Sequence, residues 1–377
     1  MIKNKMQKYT DKYFLRSNEI LKKENMNPWV NMQVFVRKGP GKVAGINEAT
    51  NLILENSNLE KIGGRIYSKN EFDFYQPKET IMNIIAPIQE IMELETVYLG
   101  VLTAGTTRLN DKYDLDFNKI GKQMNDVVNL VGNRDVLYFG ARHWHYSYDS
   151  ALANLAFENG VTSVATDNGA EFSGMKGVGT IPHALENIFG YYNGLENAVL
   201  ESTKAFDKNI NINVPRIALV DYSNFEITDS LRVARELGDK LFGVRMDTCG
   251  ENISEGGKLG NKKYWEGKGV TVEGVYALRK KLNEAGYENV KIILSSGFSN
   301  PEKIRAFNEA EKYYGIRLYD SIGAGFLDEP RTFTADIIAV GETVEEVDFY
   351  SNKVYTKNII HKVGRPPRLN KSLRRKL

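Results

Sequence analysis

From Asp135 onward the sequence repeats one unit: a short apolar run, closed by a polar or glycine turn and followed by an amphipathic helical stretch. The runs and helices read VLYFGA then SYDSALANLAFENG, TSVAT, GVGTI then HALENIFGYY, and RIALVD then ITDSLRVARELG. After these come LFGVRMD then TVEGVYALRKKLNEAG, KIILSS then NPEKIRAFNEAEKYYG, and RLYDSIG. Runs that are apolar throughout suit parallel strands buried on both faces, and the intervening helices supply the cover. About seven such units predict an irregular parallel α/β barrel. An open doubly wound sheet is the other arrangement, and the lack of a GxGxxG at the first turn argues against a dinucleotide-binding version of it.

Before Asp135 the pattern is mixed. NMQVFVR reads as a strand and INEATNLILENS as a helix. In KETIMNIIAPIQEIMELETVYLGVLTAGTTRL, Ile84, Ile88, Ile91, Leu94 and Tyr98 recur at three- and four-residue steps, which predicts one long core-facing helix. The 377 residues are enough for two domains with real cores. A formal charge of +2 creates no general attraction for nucleic acid. The single cysteine, Cys249, can form neither an internal disulfide nor a cysteine-rich zinc site, which fits a reducing cytoplasm. Neither a secretory leader nor an apolar run of membrane-spanning length is evident, so the expectation is a cytoplasmic protein with no membrane partner. The basic end HKVGRPPRLNKSLRRKL, residues 361–377, reads as a solvated tail against acidic surface rather than as a nucleic-acid arm.

Two small-residue loops follow apolar runs late in the chain. Ser295, Ser296 and Gly297 come after VKIIL, and Gly323, Ala324 and Gly325 come after IRLYDSI. Each alone is an ordinary strand-to-helix turn, but together they predict backbone N–H groups cradling one phosphorylated ligand at the C-terminal strand ends. The other strand ends are polar: Arg142 and His143, Thr180 and His183, Asp221, then Arg245 and Asp247. Two arginines beside two phosphate-sized loops point to an anionic substrate with more than one phosphate or carboxylate.

These residues carry a family resemblance. TDKYF, MQVFVRKGPGKVAGINEA, FGARH, GTIPHAL, LVDYSNFE, FGVRMDT, SSGFSNPEKI, IGAGF and FTADI, in this order across most of the chain, resemble the short form of nicotinate phosphoribosyltransferase, a type II phosphoribosyltransferase. The resemblance implies an α/β domain built from both chain ends (residues 1–115 joined by 330–377) and a barrel over 116–329 that holds the site. It also implies a homodimer with shared active sites. His183 stands where the family histidine is phosphorylated by ATP, a role open to a neutral imidazole, and Asp221 where a carboxylate orients that ring. Tyr222 departs from the family's usual threonine.

Arg142 and Arg245 match arginines around nicotinate and phosphoribosyl diphosphate. Asp247 would take ribose hydroxyls or magnesium, and Tyr13 would stack on the pyridine ring, reaching it across the dimer. Thr180, Ser295, Ser296, Gly297, Gly323 and Gly325 complete the implied substrate site. The plain alternatives are a buried structural histidine, a helix-capping aspartate, surface ion pairs and an Asp247–Arg245 pair. His143 replaces an arginine of many relatives, Asp167 is a weak candidate in a segment lacking the family's double glycine, and the cysteine-bearing metal knuckle of some relatives is missing. The implied reaction joins nicotinate and phosphoribosyl diphosphate to nicotinate mononucleotide and pyrophosphate for NAD biosynthesis, with Mg2+ and ATP. Nicotinamide or quinolinate transfer and a non-catalytic nucleotide-sensing barrel are the alternatives.

Overall fold

The computed structural model describes residues 5–327, 330–351 and 355–377. The first four residues of the expected N-terminal domain and the expected barrel boundary at residue 329 lie outside them. The strands in chain order are β1 (Trp29–Val36), β2 (Gly41–Lys42), β3 (Arg65–Ser68), β4 (Phe74–Tyr75), β5 (Thr80–Pro87), β6 (Asp135–Tyr138) and β7 (Ser163–Val164). They continue with β8 (Arg216–Leu219), β9 (Leu241–Met246), β10 (Lys291–Leu294), β11 (Ser321–Ala324), β12 (Phe333–Gly341) and β13 (Arg374–Arg375). Five of them form an antiparallel sheet in the order β12-β1-β5-β3-β13, six form a parallel sheet in the order β7-β6-β11-β10-β9-β8, and β2 pairs with β4.

The parallel sheet is the expected α/β barrel, with six laddered strands where about seven were predicted. The missing member is GVGTI. It lies extended between the two edge strands, where Val178 N–H donates to Val164 O at 2.9 Å on the β7 side. On the β8 side the Thr180 hydroxyl donates to Ile217 O at 2.8 Å. Gly179 has φ +137°, a conformation that breaks a regular ladder, so this segment closes the barrel without becoming a strand.

The antiparallel sheet joins the two chain ends: β1 pairs with β12 on one side and β5 on the other, and β13 pairs with β3. Along β1, Val30, Met32, Val34 and Val36 enter the N-terminal core, and the alternate Asn31, Gln33 and Phe35 are equally buried on the other face. That second face needs polar partners, and the C-terminal segment supplies them. Gln33 Nε2 donates to Pro366 O, and Arg368 N–H donates to Gln33 Oε1, both at 3.0 Å. The guanidinium groups of Arg365 and Arg368 lie over the Phe35 ring at 5.7 and 4.7 Å. The expectation of a solvated tail is therefore corrected for residues 365–368, which cover β1, while Lys371, Arg374, Arg375 and Lys376 are exposed.

The single long helix expected after Lys78 is also corrected. Residues 80–87 are β5, short helical turns occupy Ile88–Ile91 and Met92–Leu94, and the main helix is Glu95–Asp111. Thr80, Ile81, Ile84 and Ile85 are β-branched, and Pro87 fixes its φ and lacks an N–H, so a helix cannot run through it. The helical spacing of Ile84 and Ile88 is fortuitous, since the two sit in different elements.

Helix Glu95–Asp111 is buried along most of its length, with Val97–Leu102 in the N-terminal core and Ala104 in the barrel core. It packs on the turn Ala141–His143, and a Cβ on Gly100 would overlap the Trp144 carbonyl oxygen. Because that oxygen is backbone, relief requires moving the turn that carries Arg142. Gly100→Val is expected to destabilise the protein by about 2 kcal/mol or more, read as a fall in denaturation midpoint, with Gly100→Ala milder. An unchanged midpoint would show that the turn yields freely.

Candidate active site

The C-terminal ends of β6, β9, β10 and β11 and the start of helix His183–Asn193 open on a cleft of about 750 Å³. Of the residues singled out in the sequence, Tyr13, Arg142, His143, His183, Arg245, Asp247, Ser295, Ser296, Gly297, Gly323 and Gly325 line it. Tyr13 reaches this cleft within its own chain. Asp221 is fully buried behind His183. Thr180 is not among the lining residues, its hydroxyl being spent on closing the barrel. Asp167 binds Lys12 Nζ at 2.6 Å and accepts from Gly177 N–H at 3.0 Å, so it ties the N-terminal helix to the barrel.

His183 Nε2 lies 3.0 Å from Asp221 Oδ1. An ionised carboxylate only accepts, so Nε2 carries the hydrogen, and the neutral ring keeps its lone pair on Nδ1. Burial lowers the His183 pKa against the pull of Asp221, which keeps the ring neutral. Burial also opposes ionisation of Asp221, yet Lys362 and His183 together hold its carboxyl well below the usual range. Lys362 Nζ sits 2.7 Å from Asp221 Oδ2 and donates to Asp221 O at 2.6 Å. Sequence reading missed this lysine. Nothing in the run NIIHK marks it, because Ile359 and Ile360 do not alternate with polar residues, and only the structure shows Lys362 turned inward.

At another wall Arg142 Nη1 donates to Tyr13 OH at 3.0 Å, and Tyr13 OH donates to Asp11 Oδ2 at 3.3 Å. Glu95 Oε1 stands 3.7 Å from Arg142 Nη1. Burial pushes the Glu95 carboxyl up to about 8 despite Arg142, and burial raises that of Asp11 in the same way. Neither acid was singled out from sequence, where Glu95 falls inside the single long helix expected there.

The Ser295–Ser299 turn follows β10. Ser296 and Gly297 have φ +70° and +85°, and among the described residues the N–H groups of Ser296 to Ser299 have no protein acceptor. Ser295 Oγ donates to Asp247 Oδ1 at 2.8 Å, which fixes that carboxylate at the rim. Beneath the turn Lys303 Nζ donates to Ser296 O at 2.8 Å, and burial pushes its pKa down to about 7. The second expected loop is corrected: Gly323 and Ala324 lie within β11, paired with Leu137 and Tyr138 of β6, and only Gly325 follows the strand, so glycine is there for another reason. A Cβ on Gly323 would overlap the Phe139 ring, and one on Gly325 the His143 imidazole. Neither residue has a positive φ, so they are glycines to admit two rings that shape the cleft floor.

His143 is pushed down to about 3 by burial and by the Arg142 charge. Its folded-state pKa lies below the unfolded value, so its contribution to stability is present above about 6.5 and is lost as pH falls towards 3. Glu95 acts in the opposite sense: its folded pKa is raised, so its contribution is lost as pH rises towards 8. Comparison with His143→Gln isolates the histidine. As pH falls below about 6.5 the wild type should lose stability relative to the variant, read by denaturant titration, and a pH-independent difference would refute the buried neutral imidazole.

Residues 11–104 match the family described as quinolinate phosphoribosyl transferase, N-terminal domain. No curated protein sequence matches the chain. Among solved structures, a nicotinate-nucleotide pyrophosphorylase from Pyrococcus furiosus is 27% identical over 96% of this chain and 78% of its own, with a TM-score of 0.46. A putative nicotinate phosphoribosyltransferase from Saccharomyces cerevisiae aligns over 91% of this chain and 92% of its own, at 13% identity and a TM-score of 0.66. The nicotinate phosphoribosyltransferase from Porphyromonas gingivalis covers 94% and 92% respectively, at 13% identity and a TM-score of 0.62. The chain therefore has the fold of nicotinate phosphoribosyltransferases of known structure.

Proposed function

We propose that the protein transfers phosphoribose from phosphoribosyl diphosphate to nicotinate, coupled to ATP through a phosphohistidine at His183. The observation that carries this reading is the His183–Asp221 pair at 3.0 Å, facing one cleft with Arg142, Arg245 and the open N–H groups of the Ser295–Ser299 turn. An ordinary buried histidine has no need of such surroundings.

In the transfer step the nicotinate ring nitrogen attacks the anomeric carbon as the bond to the diphosphate oxygen breaks, and pyrophosphate leaves with the electron pair. The reaction needs no side-chain nucleophile at the ribose. The protein positions the two reactants and meets charge with charge, and both effects act on the barrier. The Ser296 to Ser299 N–H groups suit the ribose phosphate, and Arg245 suits the departing diphosphate. The Tyr13 ring suits the flat pyridine, beside Arg142 for its carboxylate. Asp247 has one oxygen on Ser295 and, among the described residues, no hydrogen-bond donor on the other, so it would be a residue to hold a magnesium ion. When bound, that ion neutralises the diphosphate.

In the coupling step the Nδ1 lone pair of His183 attacks the γ-phosphorus of ATP and ADP leaves. Nε2–H stays on Asp221, whose charge stabilises the cationic ring. The phosphorylated ring bears on transfer by changing the charge at the diphosphate end of the cleft.

A second reading, nicotinamide as the acceptor, is favoured by one feature: Asp11 and Glu95 beside Arg142 can accept hydrogen bonds from an amide. The deciding experiment is a product assay with nicotinate, nicotinamide and quinolinate, each with and without ATP. Nicotinate mononucleotide should form, faster with ATP, and Arg245→Ala should lower kcat/KM by about thirtyfold, roughly 2 kcal/mol. Product from nicotinamide or quinolinate but none from nicotinate would overturn the proposal, and no turnover with any of the three would favour a sensing barrel.

A further inference from the structure

Three parts of the chain meet at one buried carboxylate. Asp221 follows β8, His183 begins a helix after the irregular barrel segment, and Lys362 comes from the C-terminal segment. That segment is anchored on both domains. Asn358 Nδ2 donates to Val340 O in β12 at 2.9 Å, and Val363 N–H donates to Tyr222 O at 3.1 Å, one residue past Asp221. Asn252 Nδ2 adds a bond to Val363 O at 3.1 Å. Lys362 is thus held between anchors at Asn358 and Val363, with its side chain only 4% exposed.

We propose that Lys362 is a positioning residue for His183: its ammonium fixes the Asp221 carboxylate, which in turn keeps hydrogen on Nε2 and presents the Nδ1 lone pair to the cleft. The inference deepens the phosphohistidine reading and rests on it for its catalytic meaning. Its geometric content stands separately.

The surrounding charges explain why a cation is needed. Facing the pair are Glu186, one turn along the His183 helix, Glu226 at the start of the helix Glu226–Leu237 that follows Asp221, and Asp247 with Arg245 at the end of β9. Among the described residues neither buried Glu186 carboxylate oxygen has a hydrogen-bond partner, and burial raises that carboxyl well above its ordinary range. Arg245 is turned to Ile181 O, at 3.4 Å, so Lys362 is the cation in contact with Asp221. Without it a buried carboxylate would face one neutral imidazole, and the pair would take up a proton. A protonated His183 has no lone pair with which to attack phosphorus. The site is therefore completed only when the last part of the chain has docked.

The test is 15N NMR of histidine-labelled full-length protein through a pH titration, with the His183 signals assigned by His183→Asn. The wild type should show a neutral His183 ring with hydrogen on Nε2. In Lys362→Met, proton uptake by the pair should move up by about one pH unit or more, and Lys362→Arg should return it towards the wild-type value. If the Met variant does not fold, Lys362→Gln keeps a donor without the charge and should show the same shift. A His183 titration and tautomer unchanged in the neutral variants would overturn the proposal. Phosphorylation by ATP, followed in parallel, should slow at least tenfold in the neutral variants at pH 7 and recover in Lys362→Arg. Absence of phosphorylation in the wild type would sink the functional reading, while the titration would still decide the role of Lys362.

Discussion

A carboxylate with no solvent exposure is the constraint on which this site depends. Burying Asp221 as an anion costs several kcal/mol unless opposite charge and hydrogen bonds meet it, and removal of one partner leaves the other charge uncompensated. Here the partners are His183 Nε2 on one oxygen and Lys362 Nζ on the other. Each is delivered by a different element, so the end of β8, the helix after the barrel's irregular segment and the C-terminal cover of β1 are all held in register by the same group. The arrangement leaves one ring nitrogen of His183 without the hydrogen, and that nitrogen is what phosphoryl chemistry would use.

The opposite wall is built on a different balance. Arg142 is met by Tyr13, Asp11 and Glu95, two of which come from the first helix region and one from the long helix beneath. The contact of Gly100 with the Trp144 carbonyl sets the height of the turn that carries Arg142. Packing at the junction of the two cores thus fixes a charge at the cleft. Phe139 and His143, admitted by Gly323 and Gly325, shape the floor between these walls.

The barrel was legible because its strands are apolar runs separated by amphipathic helices, a pattern set by burial on both faces. Where sequence reading failed, a second element decided the outcome. The period of Ile84 and Ile88 suggested one helix, but Pro87 divides a strand from a helical turn. Thr180 looked like a rim residue, yet its hydroxyl bonds Ile217 because Gly179 leaves the ladder incomplete. The tail looked solvated because its charges are dense, and Lys371, Arg374, Arg375 and Lys376 are exposed, whereas residues 365–368 pack on the polar second face of β1, more than 300 residues away in the chain. His183, Arg142, Arg245 and Asp247 were visible as polar residues at strand ends and took their roles from the resemblance, whereas Lys362, Asp11 and Glu95 became visible only once distant segments were brought together.

The central claim, that the Asp221-held ring of His183 takes phosphate from ATP, is tested most directly by incubating the protein with magnesium and γ-labelled ATP. The account predicts a phosphate on His183 that is labile to acid and stable to base, as a phosphoramidate is. The label should be lost in His183→Ala and reduced, without being abolished, in Asp221→Asn, where the ring remains but its tautomer is no longer fixed. An undiminished label in His183→Ala, or an acid-stable label on the wild type, would contradict it.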